Sequence, residues 1–421
     1  MKLILVPTIL LVLLKPAIAS NKKKSSQSQD VTKRHIRGQD TTQGDRILQT
    51  DIADAITSAV SEINDIIDNR ITIAPTFVRL GFHDCVGGCD GCVDMTNPDN
   101  AGLEDAINAL SSVVSNPQYT EAGLSRADLW ALAAITGANY AKPDTSFFFE
   151  PAYYGRTNCE DVGLPCLDAN NNEVSCTATT GPHRDLPSAD LDTEDVLDFF
   201  NDNFDFTDDE TVALMGAHSI GRALRANSGF DGSAGWVNNE NTLDNEYYRQ
   251  IVGDEGDLFN GPNWNQNEVI NNGQIPDRFQ WERNARGNDG GPELIMLNSD
   301  IALVRTFGDN LDMETGEVSC RFRNNNACDA ASTLDQMGVY RNNNELWLED
   351  FKNVFEKMLI HGYNIGCDSI DCISEVIGYN PSEDDERRGN GGRGGNGGGN
   401  GGGNRGGNGG GRGRQGTRGR L

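Results

Sequence analysis

Residues 79–92 read RLGFHDCVGGCDGC, and the fold turns on how this stretch is read. Two incompatible readings present themselves. In the first, His83, Cys85, Cys89 and Cys92 form a metal-binding knot, because an imidazole and thiolates at short spacing are zinc chemistry. In the second, Arg79 and His83, one helical turn apart on the same face, are a catalytic pair and the cysteines are staples. The rest of the chain separates these readings.

The chain opens MKLILVPTILLVLLKPAIAS, a lysine and an apolar run ending in Ala17-Ile18-Ala19. This pattern predicts a signal peptide over residues 1–19, cleaved near Ala19. No later segment reaches the length of a membrane span, so a secreted, extracellular protein without a membrane span is expected. Ten cysteines in a chain bound for the exterior make disulfides the default, which weakens the metal knot. The close pairs Cys85/Cys89, Cys320/Cys328 and Cys367/Cys372 are candidates for small closed loops, although spacing alone does not fix connectivity. Residues 20–44 are basic and polar without apolar periodicity, and disorder is expected there.

Charge is distributed unevenly. Residues 1–40 hold eight Lys/Arg against two Asp, and residues 387–421 hold eight Arg and no acid. With −28 on the whole chain, residues 41–386 therefore carry −42. So acidic a body argues against nucleic acid as a partner and suits cations, calcium mineral or basic surfaces. The Gly/Asn/Arg-rich tail, residues 381–421, has nothing with which to build a core. It reads as a flexible cationic segment suited to acidic matrix polymers.

Between these ends lies one large domain, residues 45–380, in which helical signals dominate. LEDAINALSSVV puts Leu103, Ile107, Leu110 and Val114 on one face. In SRADLWALAAITGA, Ser125 stands as an N-cap before an apolar stripe. TDDETVALMGAH begins with Thr207 and Glu210 at capping-box spacing, predicting a helix that runs towards His218. Long Asn/Asp/Gly-rich stretches separate these helices and few segments alternate as strands do. The predicted fold class is mainly α, with long loops stapled by disulfides.

Two motifs now carry a resemblance. VRLGFHDC resembles the distal-helix motif of the plant-type haem peroxidase superfamily, and ETVALMGAHSIGRA resembles its proximal-helix motif. NAGLEDA at 100–106, WVNNENTLDNEYY at 236–248 and IMLNSD at 295–300 add further matches, so the resemblance spans about residues 50–310. It implies a two-part helical fold with haem b between distal and proximal helices. His218 would be the axial ligand to iron, with Asp300 hydrogen-bonded to its other nitrogen. On the opposite face His83 would shuttle the proton of hydrogen peroxide, and Arg79 would stabilise the departing hydroxide. Asn100 would accept the second N–H of His83, and Phe82 would lie over the haem. Trp236 matches the tryptophan that intracellular relatives place beside the proximal histidine, where it packs on the imidazole or holds an oxidising radical. His35, His183 and His361 fall in no such motif.

The resemblance also implies cation sites. Asp84, the Gly88 carbonyl and Asp90 match distal Ca²⁺ ligands, with Cys92 standing where a serine hydroxyl is usual. Ser219, Asn239, the Thr242 carbonyl and Asp244 match a proximal Ca²⁺ or K⁺ site, with Val237 replacing one side-chain oxygen. Ile71, Ile73 and Asn227 stand where ascorbate-oxidising relatives carry their specificity residues, so ascorbate is not the expected donor. Small phenols or protein tyrosines are. With its acidic body and Gly-rich tail, the chain resembles peroxidase-like proteins of invertebrate calcified matrices such as mollusc shell. Tyrosine oxidation would cross-link such a matrix. The competing expectation is an acidic matrix protein, inactive or weak as a catalyst, that keeps the fold to bind mineral or calcium.

Overall fold

The computed structural model describes residues 43–142, 154–162, 166–168, 170, 172–230, 235–252, 264–269, 278–284 and 293–363. The signal peptide, nearly all of the basic segment, the Cys367/Cys372 pair and the Gly-rich tail lie outside the described residues.

Helix α1, Gln43–Asn69, buries Ile56, Ala59, Val60, Ile63 and Ile67, the three- and four-residue spacing of one apolar face. Helix α2, Ala74–Cys85, starts with proline in its first turn, where the missing N–H costs nothing, and contains Arg79 and His83. It packs on α3, Arg126–Ala141, the segment begun by Ser125. There the expected N-cap is part of a capping box with Asp128, and such a cap stabilises by about 1 kcal/mol. Nearly every side chain of α3 is buried, so it is a central helix rather than an amphipathic one.

Two glycines allow α2 and α3 to cross closely. A Cβ on Gly81 would lie 2.5 Å from that of Ala134, and one on Gly137 would lie 2.7 Å from the Ala74 carbonyl. The faces of α2 divide the interior into two apolar cores. Phe77 and Leu80 join α1, α3 and residues 103–124 on one side. Val78 and Cys85 join the second core with Phe200, Phe204, Tyr248 and Trp347.

The second core is built from α4, Thr193–Phe204, and α5, Asp208–Met215, with α6, Glu246–Ile251. Two further helices, α7, Leu334–Asn342, and α8, Asn344–Ile360, complete it. Thr207 and Glu210 make the expected capping box at the start of α5, after which a 3₁₀ turn, Gly216–Ser219, carries His218. The α8 helix comes from the part of the chain without a motif match. It buries Trp347, Phe351, Phe355 and Met358, and the indole N–H of Trp347 donates to the Ala213 carbonyl 3.0 Å away.

The structure departs from the sequence reading in two places. The single helix expected over LEDAINALSSVV is interrupted at Leu110, giving Glu104–Ala109 and Ser111–Val114. At the break the Ser111 hydroxyl donates to the Asn108 carbonyl at 2.7 Å, competing with the backbone ladder. Further on, a stretch without strand-like alternation forms an antiparallel sheet of β1, Asn265–Val269, β2, Arg278–Asn284, and β3, Glu293–Met296. Burial of Trp281, Leu294, Ile295 and Met296 overrides the weak local propensity. The rest of the expected class holds: the protein is mainly helical, and four disulfides staple its loops among the described residues. They are Cys85–Cys89, Cys92–Cys159, Cys166–Cys176 and Cys320–Cys328.

Candidate active site

On α2, His83 and Arg79 project from the same face, as their spacing requires. The Asn100 amide N–H donates to the Asp94 carbonyl at 2.8 Å, which turns its oxygen towards His83 Nδ1, also at 2.8 Å. An oxygen there can only accept, so Nδ1 keeps the proton and Nε2 is left as the basic nitrogen. Burial, then the Arg79 charge, pulls the His83 pKa down to about 3 against the hydrogen bond that His83 donates to Asn100. The imidazole is therefore neutral at physiological pH and competent as a base. Arg79 Nε donates to His83 Nε2 at 3.2 Å, while its terminal nitrogens donate to the carbonyls of Ala101 and Asp99 at 3.0 and 2.7 Å. Burial lowers the arginine to about 10, opposed by Asp99 and Glu104, so it remains a cation. Phe82 stands edge-on to His83, their centroids 5.5 Å apart, and packs towards Phe200 and Phe204.

His218 is held differently. Its Nδ1 is 2.7 Å from Asp300 Oδ1, a carboxylate with no exposed surface. Two more donors converge on Asp300: the Tyr247 hydroxyl at 3.0 Å and the Leu297 backbone N–H at 2.8 Å. Burial, followed by the Asp300 charge, raises the Tyr247 phenol well above its ordinary value, so it stays a donor. Trp236 stacks on the imidazole with centroids 4.2 Å apart and planes within 9°. Among the described residues nothing bonds His218 Nε2, and that nitrogen fits the axial position that the resemblance assigns to it.

The unforeseen sheet mounts this site. Asp300 lies in the helical turn Asn298–Ile301. Asn298 Oδ1 accepts from the Trp281 indole of β2 and from Gln266 of β1, each at 2.9 Å, while Asn298 Nδ2 donates to the Gly316 carbonyl. The segment after His218 returns to the distal side. Gly221, at φ +75°, sits where a Cβ would come 3.0 Å from Pro75 at the start of α2.

The cation residues are found in two different states. On the proximal side Ser219 Oγ is fully buried without a hydrogen-bond partner among the described residues. Burial raises the Asp244 carboxyl, one oxygen of which accepts the Glu246 N–H at 3.0 Å. The Asn239 amide donates to the Thr242 hydroxyl. Oxygen donors of this kind are those a hard cation prefers. On the distal side Gly88 lies in the turn closed by Cys85–Cys89, and the Cys92 backbone N–H donates to Asp84 Oδ1. Burial, then the Asp90 charge, pushes the Asp84 carboxyl up to about 7, with Arg184 acting against them. The expected distal calcium is not supported: the Asp90 carboxylate is ion-paired with Arg184, and Cys92 is spent in its bridge to Cys159.

The same disulfides dispose of the zinc knot, since Cys85, Cys89 and Cys92 are all covalently paired. Three residues of the site escaped the sequence reading: Tyr247, Asn298 and Arg184. The first two sit inside quoted matches, WVNNENTLDNEYY and IMLNSD, and were legible in principle. No local pattern marks Arg184.

With this geometry in view, comparison with known proteins is decisive. The family described as "Peroxidase" matches residues 59–308, more than half of the chain. The chain belongs to the peroxidase family. It is 27% identical over 300 residues to a "Putative heme-binding peroxidase" of Yarrowia lipolytica, covering 68% of this chain and 77% of that one. A protein of the same description from Gibberella zeae is 27% identical over 338 residues, 77% of this chain and 80% of the relative. A mitochondrial cytochrome c peroxidase of Candida glabrata is 31% identical over 208 residues, 46% of this chain and 51% of that one.

Proposed function

We propose that the protein is a secreted haem peroxidase that reduces hydrogen peroxide at the expense of phenols or protein tyrosines in an extracellular, calcified matrix. The observation that carries the activity is the contrast between two histidines: one neutral and backed by an amide, the other backed by a carboxylate and open at Nε2. His218 would hold haem b through its Nε2, and the bound group would supply the two-electron chemistry that no side chain here can perform.

His83 Nε2 accepts a proton from the bound peroxide and returns it to the leaving oxygen. Asn100 fixes the tautomer that makes this direction of transfer available. Arg79, whose 3.2 Å contact to Nε2 is the longest of its hydrogen bonds, yields that contact to peroxide and supplies positive charge to the departing hydroxide. Phe82 excludes water beside the imidazole. Asp300 orients His218 and raises its donor strength, and Tyr247 orients Asp300 in turn.

Support for secretion comes from the leader pattern and the disulfides, which persist in oxidising surroundings. Support for a matrix role comes from the acidic body, the Gly/Asn/Arg tail as a tether for acidic matrix polymers, and the proximal set of Ser219 and Asp244 as a Ca²⁺ or K⁺ site. Among the described residues no helix is long and apolar enough to cross a membrane.

The test is the absorption spectrum of the purified protein beside His218→Ala, followed by addition of peroxide with and without a tyrosine-containing peptide. A haem band that responds to peroxide, is lost or displaced in His218→Ala, and is accompanied by dityrosine fluorescence is the expected result. A protein that takes up no haem would leave only an acidic matrix protein on this fold. Peroxide turnover without dityrosine would discard the tyrosyl donor alone.

A further inference from the structure

The loop that follows His83, Asp84–Cys92, is where the resemblance places a calcium ion, and it is crossed instead by a side chain from far along the sequence. Arg184 Nη1 donates to the Asp84 carbonyl at 2.9 Å and to the Cys92 carbonyl at 3.4 Å, while Nη2 pairs with Asp90 Oδ2. These acceptors belong to the residues expected to surround the ion. The arginine stem lies over Gly87, which is at φ +80°, so closely that a Cβ there would come 3.1 Å from Nε and 3.2 Å from Cδ. Its backbone is anchored as well: the Asn97 amide donates to the Arg184 carbonyl, and the Gly181 N–H donates to the Val93 carbonyl. Only 11% of the Arg184 side chain and 3% of that of Asp90 are exposed. On the other edge of the loop Arg126 Nε donates to the Gly91 carbonyl, while its terminal nitrogens pair with Glu160.

Calcium requires oxygens at about 2.3–2.6 Å and six or more of them. An ion placed within that range of Asp90 Oδ2 and the Asp84 carbonyl would overlap the guanidinium that bonds both, and would set two cations against each other in a buried site. A planar fork of donors, by contrast, suits a carboxylate with neighbouring carbonyls. We propose that Arg184 is the built-in cation of the distal loop. It takes the place of calcium and acts as a positioning residue, holding the C-terminal end of α2, and so His83, without metal. The second carboxylate oxygen of Asp90 is buried without a partner among the described residues, so removing the arginine would leave a vacated cation site with a ligand already in it.

The experiment uses the full haem-loaded chain and reads bound calcium by metal analysis and Tm by scanning calorimetry, in EGTA and in millimolar calcium. Asp244→Asn serves as the background, to silence the proximal candidate. That protein is expected to hold no calcium and to show the same Tm in both media. Adding Arg184→Ala should lower Tm in EGTA by about 10 °C, because one partner of a buried pair is removed. Calcium should then restore a large part of the loss, a rescue that a merely packed arginine would not give. Arg184→Lys should need calcium less than Arg184→Ala. The proposal is overturned if the Asp244→Asn protein holds calcium that is lost on Asp90→Asn. It also fails if Arg184→Ala folds with an unchanged Tm in EGTA, or folds and ignores calcium. Should Arg184→Ala not fold in either medium, the calcium content of the Asp244→Asn protein decides the matter alone.

Discussion

His83, on α2, and His218, in the turn after α5, are the same residue type, and what they are bonded to makes them different reagents. At His83 burial, and then the Arg79 charge, hold the ring neutral, and the Nδ1 partner is the uncharged oxygen of Asn100. At His218 the partner is the buried carboxylate of Asp300, itself held by Tyr247 and a backbone N–H. A neutral acceptor leaves the imidazole free to pick up and release a proton. A charged one drives electron density towards Nε2 and suits a metal ligand. The comparison teaches that the role of a histidine here is set by the atom behind it, because the ring itself is the same.

The largest effect should come from deleting one side of the comparison. His83→Leu is expected to slow the reaction with peroxide by about 10²–10⁴-fold while leaving the haem spectrum recognisable, as measured by stopped-flow absorbance. Equal rates in the variant and the parent would remove His83 from the proton transfer.

A smaller effect follows from making the two sides alike. Asn100→Asp gives His83 a carboxylate partner, which favours the protonated ring. In the parent, a pKa near 3 keeps the base neutral, so the peroxide rate should stay flat as pH falls from 7 through the ordinary imidazole value of 6.5. In Asn100→Asp the acid limb should move upward and the rate at pH 5 should fall by about tenfold. The same shift bears on folding. The unfolded chain binds a proton at His83 below about 6.5 that the native state refuses until about 3, so His83 should make stability decline as pH falls through that window. A parent rate that already falls by half near pH 6.5 would contradict the assignment.

The smallest effect should be at the stacked indole. Trp236→Phe keeps an aromatic face on His218 and leaves the Asp300 contact intact. The peroxide rate should remain within about twofold and Tm should fall by about 2–4 °C, in keeping with a stacking contribution of about 1 kcal/mol. A much larger loss confined to donor oxidation would show that the indole carries an electron as well as packing.

The candidate site residues were legible because they are local. Arg79 and His83 share one helix, His218 follows a capping box, and each lies in a short motif whose spacing survives without the rest of the fold. Ser125 and Thr207 could be read as N-caps for the same reason: a cap is a bond between residues three apart. The single helix expected over LEDAINALSSVV is divided at Leu110, where the Ser111 hydroxyl bonds the Asn108 carbonyl. The sheet was missed because NQNEV and RFQWERN have no strand-like pattern and become strands only by burying Trp281 and its neighbours.

By itself, then, the amino-acid sequence determined the helical class and the family and singled out Arg79, His83 and His218 as candidate site residues, since these rest on contacts within a turn or two of helix. Tertiary structure alone decided what steadies Asp300 and the distal loop. Tyr247 reaches Asp300 across 53 residues, the Trp281 indole steadies the turn that carries that carboxylate, and Arg184 enters the distal loop from 94 residues beyond Asp90. Such pairings are fixed by which buried donor meets which buried acceptor once the cores have closed, and no spacing along the chain encodes that meeting.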